Sequence, residues 1–216
     1  MRTIEAVLFD LDGTLLDTLA DIAAAANTAL ERVGCSTHPL PFFRTAVGDG
    51  VEALMRRSLP PGSSDVLVAQ AMTELRGAYG DHELARPYEG IPELLAELKG
   101  RGMTLAVLSN KPHELTGVVV PRFFGSSFVW VQGAREGIPL KPDPEAALAA
   151  ARELEIPAER WAYVGDTNTD MHTGKAAGMF TVGVTWGFRD EPELREAGAD
   201  AIIHHPGELD ALLGRA

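Results

Sequence analysis

Hydrophobic positions along the chain follow two rhythms. Short apolar runs recur at Glu5–Phe9, Met103–Leu108, Ser127–Val131, Trp161–Val164, Phe180–Val184 and Asp200–Ile203. Such runs predict strands, and the first, which does not alternate, is buried on both faces. Between them, apolar residues return every three or four positions. Pro92–Lys99 carries Leu94, Leu95 and Leu98. Pro144–Leu154 is alanine-rich, with Asp143 placed as N-cap and Pro144 at the first helical position. Asn168–Ala177 and Pro206–Leu213 follow the same logic. Strand and helix thus alternate from about residue 90 onward, which predicts an α/β fold: a doubly wound parallel sheet with helices on both faces, a Rossmann-like core.

One interval breaks this alternation. About ninety residues separate Phe9 from Met103, whereas a crossover between parallel strands needs about a dozen. Leu19–Val33, Phe42–Leu59 and Val66–Tyr79 carry helical patterns, with Gly34–Pro41 and Pro60–Asp65 as turns. These features predict a small all-helical domain, residues 17–86, inserted after the first strand of a core made of residues 1–16 and 87–216.

Composition narrows the classes. Hydrophobic residues make up 45% of the 216, enough for a sizeable core. No apolar run approaches the ~20 residues that cross a bilayer, and the N-terminus lacks a secretory pattern. Cys35 is the single cysteine, so neither an internal disulfide nor a CxxC zinc site can form; a cytoplasmic, membrane-free protein is expected. The net charge is −12 and no basic cluster exceeds Arg56-Arg57, which argues against nucleic acid as a partner. Monomer and dimer both remain open.

Ligands of a doubly wound sheet sit at the carboxyl ends of its strands. Asp10 and Asp12 follow the first strand, Ser109, Asn110 and Lys111 the second, Lys141 the third across a loop, and Gly165, Asp166 and Asp170 the fourth. Carboxylates, a hydroxyl, an amide and lysines meeting at one edge suit a hard, oxygen-bound cation and a phosphate. Four carboxylates against one lysine would repel a phosphate dianion, so Mg²⁺ is expected as a requirement of the design. Asp10 would give it one oxygen and Asp166 a second carboxylate. Asp170 would hold a metal-bound water or Lys141. Lys111 and Lys141 compete for one role, and the place of Lys141 ahead of a capped helix favours it.

These residues carry a family resemblance. DLDGT (10–14), Ser109, Lys141 and GDTNTD (165–170) resemble, in order, the four motifs of the haloacid dehalogenase superfamily of phosphatases, and the helical insert resembles the family's cap domain. The resemblance spans nearly the whole chain. It implies Asp10 as nucleophile, forming an aspartyl phosphate, and Asp12 as general acid and then base. It also implies a backbone contact of Asp12 to Mg²⁺, and Ser109 and Lys141 as holders of the phosphoryl oxygens. Gly13, Thr14 and Asn110 complete the expected phosphate-binding segments.

Within that family TAVGDGVEALM (45–55) resembles the cap segment of phosphoglycolate phosphatases, and GFRDEPELREAGAD (187–200) their C-terminal region. Gly48, Asp49 and Gly50 are therefore expected at the substrate, with Arg44 as a helper. The insert holds no lysine, which argues against a phosphonoacetaldehyde hydrolase with its cap Schiff-base lysine. The expectation is hydrolysis of a small phosphorylated metabolite, foremost 2-phosphoglycolate. Pyrophosphatases of the same branch are a rival. A receiver-like signalling domain is a rival from another class, opposed by the long insert.

Overall fold

The computed structural model describes residues 3–79 and 84–214. In chain order it runs β1 (Ala6–Phe9), β2 (Leu16–Asp17), then helices α1 (Leu19–Arg32), α2 (Leu40–Ala46), α3 (Val51–Ser58) and α4 (Asp65–Ala78). Then come β3 (Arg86–Pro87), α5 (Ile91–Gly100), β4 (Thr104–Pro112), α6 (His113–Phe124), β5 (Trp130–Ala134) and α7 (Glu145–Glu153). The chain continues with β6 (Trp161–Gly165), α8 (Asn168–Ala176), β7 (Phe180–Val184), α9 (Glu191–Glu196), β8 (Ala201–Ile203) and α10 (Glu208–Leu212).

Six strands form one parallel sheet in the order β5-β4-β1-β6-β7-β8. The chain winds from β1 outward through β4 to β5, then returns to β6 on the other side of β1. This is the expected doubly wound α/β fold, and its switch point lies at the carboxyl ends of β4, β1 and β6. Phe9 registers with Val107 on one side and Val164 on the other, so Asp10 emerges at the centre of that edge. The first strand does not alternate because both faces are covered. Val7 and Phe9 pack with α5 and α6, while Ala6 and Leu8 pack with α7 and Met179.

Helices α1–α4 share a separate apolar cluster, built on Ala26, Leu30, Phe43, Met55 and Leu75. Phe188, from the loop after β7, is the residue beyond this stretch that joins it. Leu16 and Asp17 pair antiparallel with Pro87 and Arg86, so the two chain crossings lie side by side. Residues 80–83, inside the stretch expected as the insert, lie outside the described residues. No helix of the described residues is long and apolar enough to cross a membrane.

Several boundaries differ from the sequence reading for physical reasons. Phe42–Leu59 is not one helix. It breaks into α2 and α3 at Val47–Gly50, where Gly48 and Gly50 take φ of +116° and +88°, a region that favours glycine. The preceding turn is also shorter than Gly34–Pro41, since α2 starts at Leu40 with Pro41 in its first turn. The second strand extends to Pro112, because Ser109, Asn110 and Lys111 are buried strand residues despite their polarity. The third strand shifts from Ser127–Val131 to Trp130–Ala134, and Phe128 turns inward against Phe9 and Phe124 instead. Helix α7 starts at Glu145, one residue late, and Asp143 Oδ1 accepts from Glu145 N at 2.9 Å. The last helix is trimmed to Glu208–Leu212. Helices α6 and α9 have no counterpart in the sequence reading. The first hides behind Gly117 and Pro121, and the second is six residues long.

Candidate active site

The turn after β1 is dictated by its glycine. Gly13 has φ of +94°, and a Cβ there would lie 2.3 Å from an oxygen of Asp166. Gly187 is under the same constraint: its Cβ would fall 2.4 Å from the Asp166 Cβ. Asp166 is thus enclosed by two backbone segments that only glycine allows so close. Thr14 Oγ1 donates to Asp166 Oδ1 at 2.9 Å and Phe188 N to its Oδ2 at 2.7 Å.

Beside it lie two more buried carboxylates. Lys141 Nζ donates to Asp10 Oδ1 at 2.6 Å, to Asp170 Oδ1 at 2.7 Å and to Leu108 O at 3.3 Å. Asp170 is also the third residue of α8 and closes its capping box: Thr167 N and Oγ1 donate to its Oδ2 at 3.1 and 2.7 Å. Of the two alternatives for Asp170, the structure shows the one with Lys141.

The electrostatics follow from burial. Burial pushes the Asp10 carboxyl well up; Lys141 pulls it back, and Asp170 and Asp166 push it further. Burial likewise raises Asp166 to about 7, with Asp170 adding to it and the Phe188 and Thr14 hydrogen bonds opposing. Burial alone would lower Lys141, but Asp10 and Asp170 outweigh it, so its ammonium holds its proton tightly. Three buried carboxylates thus share one lysine, and the cluster is short of positive charge.

Oxygens of Asp10, Asp166 and Asp170 lie within 4.8 Å of one another. An all-oxygen set with surplus negative charge, enclosed by glycine backbone, fits a hard divalent cation. Asp170 is already committed to Lys141 and Thr167, which leaves Asp10 and Asp166 as the available carboxylates. The Asp12 carboxylate points elsewhere, to Lys111.

Above the cluster is a cavity of about 50 Å³. Asp10, Asp12, Ser109, Asn110, Lys111 and Lys141 line it from the sheet edge. Val47, Gly48, Gly50, Leu54, Tyr79 and Phe188 line the other side. Asn110 ties the two sides together. Its Oδ1 accepts from Lys141 N at 2.9 Å, and its Nδ2 donates to Lys141 O and Gly48 O, both at 3.1 Å. Ser109 does not cap α6, which starts four residues later; its Oγ accepts from Lys111 N at 3.2 Å.

The two lysines meet different carboxylates. Lys141 serves Asp10 and Asp170, while Lys111 Nζ lies 3.3 and 3.5 Å from the two oxygens of Asp12 and 4.9 Å from the Tyr79 ring centre. Three residues expected at the substrate do not line the cavity. Gly13 and Thr14 wrap Asp166. Asp49 accepts from Thr169 Oγ1 at 2.6 Å and pairs with Arg57 at 2.5 Å, fastening the α2–α3 turn to α8. Arg44 is likewise occupied, donating to Gly187 O at 2.7 Å.

Arg189 was not singled out by the sequence. It is 9% exposed and donates to the carbonyls of Arg44, Thr45 and Val47, the last at 2.8 Å. The signal available was its place in GFRD, the segment resembling other C-terminal regions. Tyr79 and Phe188 were legible only as apolar positions.

Known proteins are similar to this chain in sequence and fold. A family model, haloacid dehalogenase-like hydrolase, matches residues 7–184. A phosphoglycolate phosphatase of Pseudomonas putida KT2440 is 35% identical over 214 residues, 96% of this chain and 78% of that protein. An N-acetylmuramic acid 6-phosphate phosphatase of Pseudomonas aeruginosa PAO1 is 33% identical over 217 residues, 99% of this chain and 96% of its own. Among solved structures, a Lactobacillus delbrueckii subsp. bulgaricus protein assigned as a phosphoglycolate phosphatase superposes with a TM-score of 0.92 at 30% identity, covering 99% of this chain and 100% of that one. CbbY of Rhodobacter sphaeroides, solved with phosphate, matches at 26% identity with a TM-score of 0.78, covering 95% and 96%. A doubly wound sheet with its acidic cluster at the switch point and a match across residues 7–184 lead to one conclusion: this chain is a member of the haloacid dehalogenase-like hydrolases.

Proposed function

We propose that the chain is a Mg²⁺-dependent phosphomonoesterase working through an aspartyl phosphate, with 2-phosphoglycolate as its substrate. The observation that carries this reading is Asp10 at the cavity floor, flanked by Lys141 and Ser109, with Asp12 lining the same cavity.

Mg²⁺, held by Asp10 and Asp166, would supply positive charge to the phosphate and to the cluster beneath it. An Asp10 oxygen attacks phosphorus, and the ester P–O bond breaks. Asp12 gives its proton to the departing oxygen, so the leaving group departs as a neutral alcohol. Water then attacks the same phosphorus, Asp12 takes its proton back, and the Asp10–phosphorus bond breaks to release phosphate. The Ser109 hydroxyl would orient the phosphoryl oxygens, and the charge of Lys141, whose donors stay on Asp10, Asp170 and Leu108 O, would offset theirs.

The helices of residues 17–86 act in this reading as a cap over a core of residues 1–16 and 87–216. The cavity supports a small leaving group: about 50 Å³ takes roughly four waters at ~10–15 Å³ each. The single cysteine suits a reducing, cytoplasmic compartment. A second reading draws on coverage, since the N-acetylmuramic acid 6-phosphate phosphatase is matched over 96% of its length. A sugar acid would need the cap displaced. Comparing kcat/KM for 2-phosphoglycolate, N-acetylmuramic acid 6-phosphate, ethyl phosphate and pyrophosphate, with and without Mg²⁺, tests both. 2-Phosphoglycolate should lead; a tenfold lead for pyrophosphate or the sugar phosphate would replace it.

A further inference from the structure

We propose that Lys111 is the specificity-determining residue of the cavity, holding the carboxylate of a small phosphorylated hydroxy acid while the sheet edge holds its phosphate. The inference rests on the phosphomonoesterase reading above and adds the residue that selects the substrate. The two lysines of the cavity differ in how their donors are spent. An ammonium has three N–H donors. Lys141 meets three acceptors, Asp10, Asp170 and Leu108 O, and has none left. Lys111 meets one carboxylate, that of Asp12, at 3.3 and 3.5 Å, and the face of the Tyr79 ring. Among the described residues it has no further acceptor. Yet its side chain is only 1% exposed and lines the cavity. A buried ammonium that lines a small cavity and is held only by two long bonds to one carboxylate and by a ring face is arranged for an anion brought by the ligand.

Among the described residues, Lys111 and Lys141 are the only cationic residues lining the cavity. The insert holds no lysine, Arg44 is bound to Gly187 O, and Arg57 to Asp49 and Ala46 O. The wall facing Lys111 is otherwise apolar or backbone, from Val47, Gly48, Gly50 and Leu54. An uncharged alkyl group would therefore leave Lys111 with its long Asp12 bonds and the Tyr79 ring alone, and a carboxylate two carbons from the phosphate would add a closer anionic partner.

The test is the ratio of kcat/KM for 2-phosphoglycolate to that for ethyl phosphate, measured for wild type, Lys111→Met and Lys111→Arg. Met keeps the length and removes the charge. The ratio should fall by about 30-fold in Lys111→Met and recover in part in Lys111→Arg. A fall of less than tenfold, with both substrates losing rate together, would mean that Lys111 only supports Asp12, and overturns the inference. Should the Met variant not fold, the wild type decides. Glycolate should inhibit ethyl phosphate hydrolysis competitively, at least tenfold better than neutral glycolamide; equal inhibition overturns the inference. A wild type that hydrolyses no phosphomonoester, N-acetylmuramic acid 6-phosphate included, refutes the phosphomonoesterase reading itself, and one that hydrolyses the sugar phosphate but neither small ester overturns this inference alone.

Discussion

The two walls of the cavity are built on opposite principles. The sheet edge concentrates charge: three buried carboxylates and a lysine are locked by hydrogen bonds, with every Lys141 donor used. The facing wall concentrates apolar surface and glycine backbone, and charged groups near it are turned away. Asp49 is spent on Thr169 and Arg57, and Arg44 on Gly187. The difference separates two tasks. Preorganised charge at the edge suits a reaction whose electrostatic demands are the same for any phosphate ester. A wall fastened by a few polar contacts suits a part that limits the size of what enters and moves when it leaves, while Lys111 at the edge, in the inference above, selects by charge.

Breaking the charged wall should cost most. Asp10→Asn keeps the shape and removes the proposed nucleophile, and should lower kcat by at least ~10³-fold with the fold intact by circular dichroism. Lys141→Ala follows. It removes an oxyanion partner worth ~10²–10³ in kcat and leaves Asp10 and Asp170 unpaired in the interior. Its Tm should also fall, and Lys111→Ala should lose far less of both. Asp12→Ala should lower kcat/KM, which reports departure of the leaving group, more for ethyl phosphate than for p-nitrophenyl phosphate, by up to ~10²–10⁴, since only the poor leaving group needs a proton. Equal losses on the two esters would remove Asp12 from the acid role.

The charged wall also sets a pH signature. The Asp166 carboxyl is raised to about 7 in the folded chain, against about 3.9 for an ordinary aspartate. A raised folded value means that the native state binds the extra proton. Its contribution is present below about pH 4 and lost as pH rises through about 7. The metal-free protein should accordingly melt several degrees lower at pH 7.5 than at pH 5.5, and Mg²⁺ should raise Tm more at pH 7.5. A metal-free Tm that rises over this interval would contradict the charge account. The smallest effect belongs to the facing wall. Asp49→Ala unfastens it from Thr169, and should raise KM for 2-phosphoglycolate about two- to fivefold with kcat little changed.

The sequence disclosed the charged wall far better than its partner. Asp10, Ser109, Lys141, Asp166 and Asp170 each follow or end an apolar run, and a parallel sheet brings strand ends together whatever the loops do. Division of labour between Lys111 and Lys141 was not legible, because spacing places both near one edge without saying which carboxylate each meets. The contacts of the facing wall span long separations, Asn110 to Gly48 and Arg189 to Val47, and follow no periodicity. Polarity concealed the inner end of β4, and glycine and proline concealed α6. The break between α2 and α3 was written in Gly48 and Gly50, but apolar spacing on either side bridged it.

The Asp12→Ala variant puts the proposed nucleophile, Asp10, to its sharpest test. With p-nitrophenyl phosphate the leaving group needs no acid, so attack by Asp10 proceeds, while hydrolysis of the intermediate lacks its base. Rapid mixing should release about one p-nitrophenolate per active site in a burst, and borohydride added at the burst should convert Asp10 alone to homoserine. A modified residue other than Asp10, or steady turnover by Asp10→Asn at a tenth of the wild-type rate, would contradict the account.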